Sequence, residues 1–311
     1  MRYLSIGEPL TEFASRRDAP STFDRRAGGD TLNTAIYLSR LTGPGQVGYL
    51  SCLGDDPHSQ WLRQTIADEG VDISALATRP GGRSGLSFIS TDARGERSFT
   101  YWREHAPFRS HFEDPASLAD LDRAPTLFLS AITLAVLHPE GRAHLVAALT
   151  ERRRQGAQVV FDTNYRPALW PDADAARHAI AQMMGVASLV LPSLDDLAGC
   201  FGILDPDAAM RELASLTDAE IVLTTGGDSV LHRHAQGAGN FDRHALPPAI
   251  AATDTTGAGD SFNAAYLAGR ADGLDPQAAI AASARLAAIV VRHPGAIIPL
   301  DAMPQNQQVA S

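Results

Sequence analysis

Short apolar runs recur along this chain, each followed by an amphipathic segment long enough for a helix, and that alternation leaves few folds open. The runs Arg2–Gly7, Val47–Leu53, Thr126–Ala131, Gln158–Thr163, Ser188–Pro192 and Glu220–Thr225 read as strands. Between or after them, Thr31–Leu41, His58–Glu69, Pro139–Gln155, Asp174–Met184, Pro206–Leu216, Gly259–Ala271 and Pro276–Val291 read as helices. Strand–helix alternation at this spacing predicts an α/β fold with a doubly wound, mostly parallel sheet flanked by helices. One region breaks the rhythm. Gly85–Thr91 and Arg97–Arg103 are strand-like and joined by the turn-rich stretch Asp92–Glu96. They predict a β-hairpin forming a small β-sheet lid over one end of the core. The tail Gln305–Gln308 is polar and expected to fray.

The cationic residues narrow the chemistry. All 26 Lys+Arg residues are arginine. A chain without lysine excludes P-loop kinases, protein kinases, Schiff-base aldolases and PLP enzymes, each of which needs a lysine. Anionic ligands must then meet arginines, backbone N–H groups, helix N-termini or a metal. The net charge of −10 argues against nucleic acid or an anionic membrane as partner. The apolar runs are far shorter than a membrane span, the N-terminus lacks a signal-peptide pattern, and Cys52 and Cys200 are too few for a disulfide framework. A cytoplasmic protein is expected. His232 and His234 alternate on a strand without further ligand spacing, and are expected to be exposed rather than metal-bound.

The sharpest constellation is Asp254-Thr255-Thr256-Gly257-Ala258-Gly259-Asp260, followed by a helical apolar pattern. Its glycines allow a sharp turn into a helix whose first N–H groups lack internal partners and carry the positive end of the dipole. Those amides would make an anion hole at Gly257, Ala258 and Gly259. Asp260 beside them could take a proton from a hydroxyl attacking phosphorus. The plainer alternative is a glycine turn in which Asp260 merely favours the helix start. Gly28-Gly29-Asp30-Thr31-Leu32-Asn33 is similarly open: either backbone and Asn33 amide offered to a ligand, or a helix start with Asp30 as N-cap.

These motifs resemble the ribokinase-type (PfkB) carbohydrate kinases over nearly the whole chain, through Gly28–Ala35, Gly54-Asp55-Asp56 and the Asp-Thr-x-Gly-Ala-Gly-Asp signature at 254–260. Within that family, further words resemble 2-keto-3-deoxygluconate kinases. They are Gly7-Glu8, Gly95-Glu96-Arg97, Tyr101-Trp102-Arg103, Asp162–Pro167 with Leu169-Trp170, and Gly295–Pro299. The resemblance implies one ribokinase-like domain over residues 1–311, with lid segments near 9–27 and 84–109. It implies ATP and Mg2+ as cofactors, a sugar acid as substrate, and a homo-oligomer assembled through the lid. Asp260 would be the base and Gly257, Ala258 and Gly259 the anion hole. Gly28, Gly29 and Asn33 would hold sugar hydroxyls, with Tyr101, Arg103 and Arg166 at the substrate. A guanidinium suits a sugar carboxylate, which a neutral sugar lacks. Asn164, Thr224, Gly226 and Ser229 would face the nucleotide, with Thr224 where relatives commonly carry lysine. No residue is expected to ligate the metal directly. Ser193 and Asp196 stand where relatives have Asn-x-x-Glu, so Asp196 would act on magnesium through water, or would simply be a first-turn acid. Ser87 replaces a tyrosine found in some relatives. A kinase for a neutral sugar such as fructose or ribose is the alternative.

Overall fold

A computed structural model describes residues 1–16, 19, 21–91, 97–237, 240–247 and 252–304. The expected Asp92–Glu96 turn, with its Gly95-Glu96 pair, and the tail from residue 305 lie outside these.

The main sheet has nine strands: β1 (Tyr3–Ile6), β4 (Val47–Leu53), β5 (Leu76–Thr78), β8 (Thr126–Ser130), β9 (Gln158–Asp162), β10 (Leu189–Leu191), β11 (Glu220–Thr224), β12 (Ser229–Arg233) and β13 (Asp242–Ala245). Their order is β13-β12-β11-β10-β9-β8-β1-β4-β5. All pairs are parallel except β11–β12 and β12–β13. The central strands β1, β4 and β8 are buried along their whole length, as parallel strands covered on both faces must be.

Two apolar layers form the cover. One face buries residues from α1 (Asp30–Thr42), α2 (Pro57–Asp68), α8 (Ala258–Ala271) and α9 (Pro276–Val290). The other buries residues from α3 (Ala131–Val136), α4 (Pro139–Arg154), α5 (Ala173–Val186), α6 (Leu194–Phe201) and α7 (Pro206–Leu216). Among the described residues no helix is long and apolar enough to cross a membrane.

A second sheet of four strands, β2 (Leu10–Ser15), β3 (Phe23–Gly28), β6 (Gly85–Thr91) and β7 (Arg97–Trp102), lies in the order β3-β2-β6-β7. The predicted hairpin is its β6–β7 half. Strand register sorts the side chains into two faces. Phe13, Phe23, Phe88 and Trp102 form a run of ring contacts on one. Tyr101, opposite Ser87, lies on the other.

After β1 the chain builds β4 and β5 on one side, then returns to place β8 on the other. Ligands in open α/β sheets sit at such a reversal, outside the C-terminal strand ends. The crossing of α1 and α8 closes this point. Tyr37 of α1 is fully buried; its hydroxyl donates to the Ala296 carbonyl at 2.7 Å and accepts from Ile298 N–H at 3.1 Å. Tyr37→Phe orphans both buried groups, and should lower stability by about 1–3 kcal/mol in urea unfolding. An unchanged midpoint would show that these bonds do not hold the segment.

Candidate active site

Gly257 caps α8 at φ 79°, a left-handed conformation, and a Cβ there would sit 2.5 Å from the Ala296 carbonyl oxygen. Conformation and contact both require glycine. The Asp254 carboxylate braces the turn: one oxygen accepts from the Thr256 N–H and hydroxyl, the other from Gly295 N–H at 2.6 Å. Ala258 N–H turns back to the Thr255 carbonyl at 3.3 Å. Of the three amides expected at an anion hole, that of Ala258 is thus engaged within the turn.

Asp260 stands in the first turn of α8, 9% exposed, and accepts a 2.8 Å hydrogen bond from Asn33 Nδ2 on α1. Asn33 Oδ1 is buried with no hydrogen-bond partner among the described residues. Burial first, then the nearby Asp30 charge, pushes the Asp260 carboxyl up to about 7.

The helix-start alternative, with Asp30 as N-cap, does not hold in that form. Gly29, at φ 117°, is the cap, and Asp30 is the first helical residue, accepting from Asn164 Nδ2 at 2.8 Å. What crowds the two glycines is the lid connection rather than open space: a Cβ on Gly28 would meet the Glu12 carboxylate, and one on Gly29 the Glu8 carbonyl oxygen at 2.6 Å.

Beside Asp260 lies a group of acids. Asp162, at the end of β9, accepts from Asn263 Nδ2 at 2.9 Å and from Asn164 N–H at 3.1 Å. Burial, then the charges of Asp196, Asp260 and Asp30, drives its carboxyl well above the usual range. Asp196 is a first-turn acid of α6: its N–H bonds the Ser193 hydroxyl, and its carboxylate accepts from the Thr163 hydroxyl and Tyr165 N–H. Arg166 Nη1 lies 3.4 Å from the same carboxylate, with most of its side chain exposed.

Arg103 follows β7 and is buried against Glu8, whose Oε2 accepts from Nη2 at 2.6 Å and Nε at 3.0 Å. Its guanidinium lies 5.5 Å from the Tyr101 ring centre. Burial raises the Tyr101 phenol, while Arg103 and Arg166 pull it down, so the three groups share one neighbourhood. Thr224, Gly226 and Ser229 form a separate turn further along the same sheet edge. Thr225 Oγ1 closes it on Ser229, and the Ser229 hydroxyl accepts from Arg243. The Thr224 hydroxyl donates to the Pro192 carbonyl at 3.4 Å.

Sequence reading assigned no role to Glu8, Asp162 or Asn263. Glu8 and Asp162 stood inside the quoted words, but nothing in a one-dimensional pattern says that their carboxylates are buried and paired. The two histidines also require correction, because His232 is fully buried and only His234 is exposed.

This topology, with its separate four-stranded lid sheet, is that of the ribokinase-like kinases. The chain matches the model of the pfkB family carbohydrate kinases over residues 3–303, and it belongs to that family. It is 36% identical over 308 residues to a 2-dehydro-3-deoxygluconokinase of Dickeya dadantii, covering 96% of this chain and 97% of that protein. It is 31% identical to fructokinase-1 of Zea mays, over 85% and 81% of the two chains. Among solved structures, a PfkB protein from Polaromonas sp. JS666 superposes with TM-score 0.84 at 24% identity, covering 99% of each chain. Aminoimidazole riboside kinase from Salmonella enterica, complexed with aminoimidazole riboside and an ATP analogue, gives 0.80 at 26%, over 99% and 98%.

Because the folded Asp260 carboxyl is raised to about 7 from an ordinary 3.8, folding favours its protonated form. That contribution is complete below 3.8 and lost as pH rises through 7. Asp260→Asn should therefore melt higher than the unaltered protein at pH 8, with the gain shrinking toward pH 5.5. Equal melting temperatures at pH 8 would contradict the raised pKa.

Proposed function

We propose that this enzyme transfers the γ-phosphoryl group of ATP to the terminal hydroxyl of 2-keto-3-deoxy-D-gluconate, giving the 6-phosphate and ADP. The observation that carries the reading is Asp260: buried, oriented by Asn33, and set beside a glycine-turned helix N-terminus. The relatives named 2-dehydro-3-deoxygluconokinase, matched over nearly the whole chain, support the choice of substrate.

Asp260 takes the hydroxyl proton as the substrate oxygen bonds to the γ-phosphorus and the bond to the β,γ-bridging oxygen breaks, leaving ADP. A base poised near 7 both accepts that proton and is ionised at working pH. The amides of Gly257 and Gly259 meet the negative charge on the equatorial oxygens. Asn33 fixes the carboxylate through Nδ2 and offers Oδ1 to a sugar hydroxyl, with the Gly28-Gly29 backbone alongside. Tyr101, Arg103 and Arg166 surround the sugar acid. Glu8 covers the Nε and Nη2 side of Arg103, so the carboxylate would meet its Nη1 side and Arg166. Asn164, Thr224 and Gly226 lie along the strand ends for the nucleotide; Ser229 shapes their turn.

Of the acids around Asp260, Asp196 is the one placed to meet Mg2+, its carboxyl raised by burial. Since the Asp196 oxygens already accept protein donors, it would hold the ion through water. When bound, the ion neutralises charge on the triphosphate. The same reading makes the enzyme cytoplasmic, in keeping with its two free cysteines, and a homo-oligomer joined through the lid, where Trp102 is 58% exposed.

Asp260→Asn should lower kcat by about 10²- to 10⁴-fold. Arg166→Gln should raise KM for the keto-acid roughly ten- to a hundredfold with little change in kcat, the size of a lost charged hydrogen bond. Arg166 is the better probe, because removing Arg103 would also strand Glu8. A panel of the keto-acid against fructose, ribose and other neutral sugars decides the substrate. A neutral sugar with higher kcat/KM would replace this reading by the fructokinase-like one.

A further inference from the structure

His232 and His234 stand two residues apart around β12 and so face the same side of the sheet. Asp242 of β13 is the cross-strand partner of His232. One ligand atom from each of His232, His234 and Asp242 lies within 4.8 Å of the other two. The rings of His232 and His234 meet edge to face at 4.5 Å between centres. Nothing in the phosphotransfer chemistry uses these residues.

We propose that His232, His234 and Asp242 form a binding site for a zinc-class divalent ion at the edge of the main sheet. Two features beyond the triad favour a built site. His232 is 1% exposed, and its Nε2 faces Glu220 Oε1 at 3.1 Å. A carboxylate on one ring nitrogen fixes the tautomer and turns the lone pair of the other nitrogen outward, the arrangement by which proteins orient metal-binding histidines. His244 lies 6.2 Å from His232 between ring centres, and its Nε2 is buried with no partner among the described residues. It borders the triad without belonging to it.

Imidazole and carboxylate together suit zinc, with ligand distances of about 2.0–2.2 Å, while magnesium prefers an all-oxygen shell. Small turns of exposed His234 and Asp242 would bring the ligand atoms inward. The bound ion would staple the outermost strand β13 to β12. Through Glu220, which also accepts from the Tyr266 hydroxyl at 2.5 Å, the site is joined to α8, the helix that carries Asp260.

The test uses the full, untagged chain freed of metal by a chelator and titrated with ZnCl2 against a chromophoric competitor, without nucleotide. One zinc should bind per chain, millimolar Mg2+ should not displace it, and zinc should raise the melting temperature. His234→Ala and Asp242→Asn should each weaken binding by about tenfold or more and abolish the thermal shift, yet melt normally in chelator. No zinc uptake, or uptake with the same affinity in both variants, would overturn the site. Either result is independent of which sugar the enzyme phosphorylates.

Discussion

Helix α1 crosses helix α8 at the point where the sheet reverses direction, and the Asn33–Asp260 hydrogen bond spans that crossing. Around it the chain is tied into a closed circuit. Tyr37 of α1 holds the segment at Ala296 and Ile298; Asp254 holds Gly295; the backbone at Ala296 presses on Gly257, which starts α8. A glycine with positive φ, a buried tyrosine hydroxyl and a braced aspartate thus converge on the placement of one carboxylate. Close packing makes such a circuit stiff, because none of its members can shift without opening a void or orphaning a polar group.

Electrostatics follow from that placement. Asp162, Asp196 and Asp260 are buried, and burial first disfavours their charged forms, with neighbouring acids adding to it at Asp162 and Asp260. Such crowding is destabilising by itself. Arginine supplies the opposite sign, since the chain has no lysine. The buried Glu8–Arg103 pair shows what this requires. Desolvating two charges offsets much of their attraction, so the pair contributes little net stability. Its consequence is geometric: the guanidinium is held in one orientation under the lid, against the Tyr101 ring.

The lid divides its labour between two faces. The contacts among Phe13, Phe23, Phe88 and Trp102 give one face a run of aromatic rings, part of which rests on α2 through His58 and, beside it, the Arg25–Trp61 contact. The opposite face brings Tyr101 to the arginines. Strand alternation alone produces this separation, because consecutive side chains point to opposite sides.

Local pattern determined a good deal. Every parallel strand of the main sheet except short β5, most helices, the β6–β7 hairpin and the glycine turn at residue 257 follow from apolar periodicity, proline and glycine placement, and the orphan amides of a helix start. Whatever depends on residues far apart in the chain was decided by packing. Asn33 and Asp260 are 227 residues apart, and Glu8 and Arg103 are 95 apart. The same holds for Asp30, which local rules make a cap and which the fold turns toward Asn164. It holds again for His232, which a strand pattern leaves exposed and the sheet edge buries. Sequence specifies which groups are available and how the backbone bends beside them. The free energy of burial depends on what the rest of the chain brings alongside, and that is settled only when the two helices cross and the sheet closes.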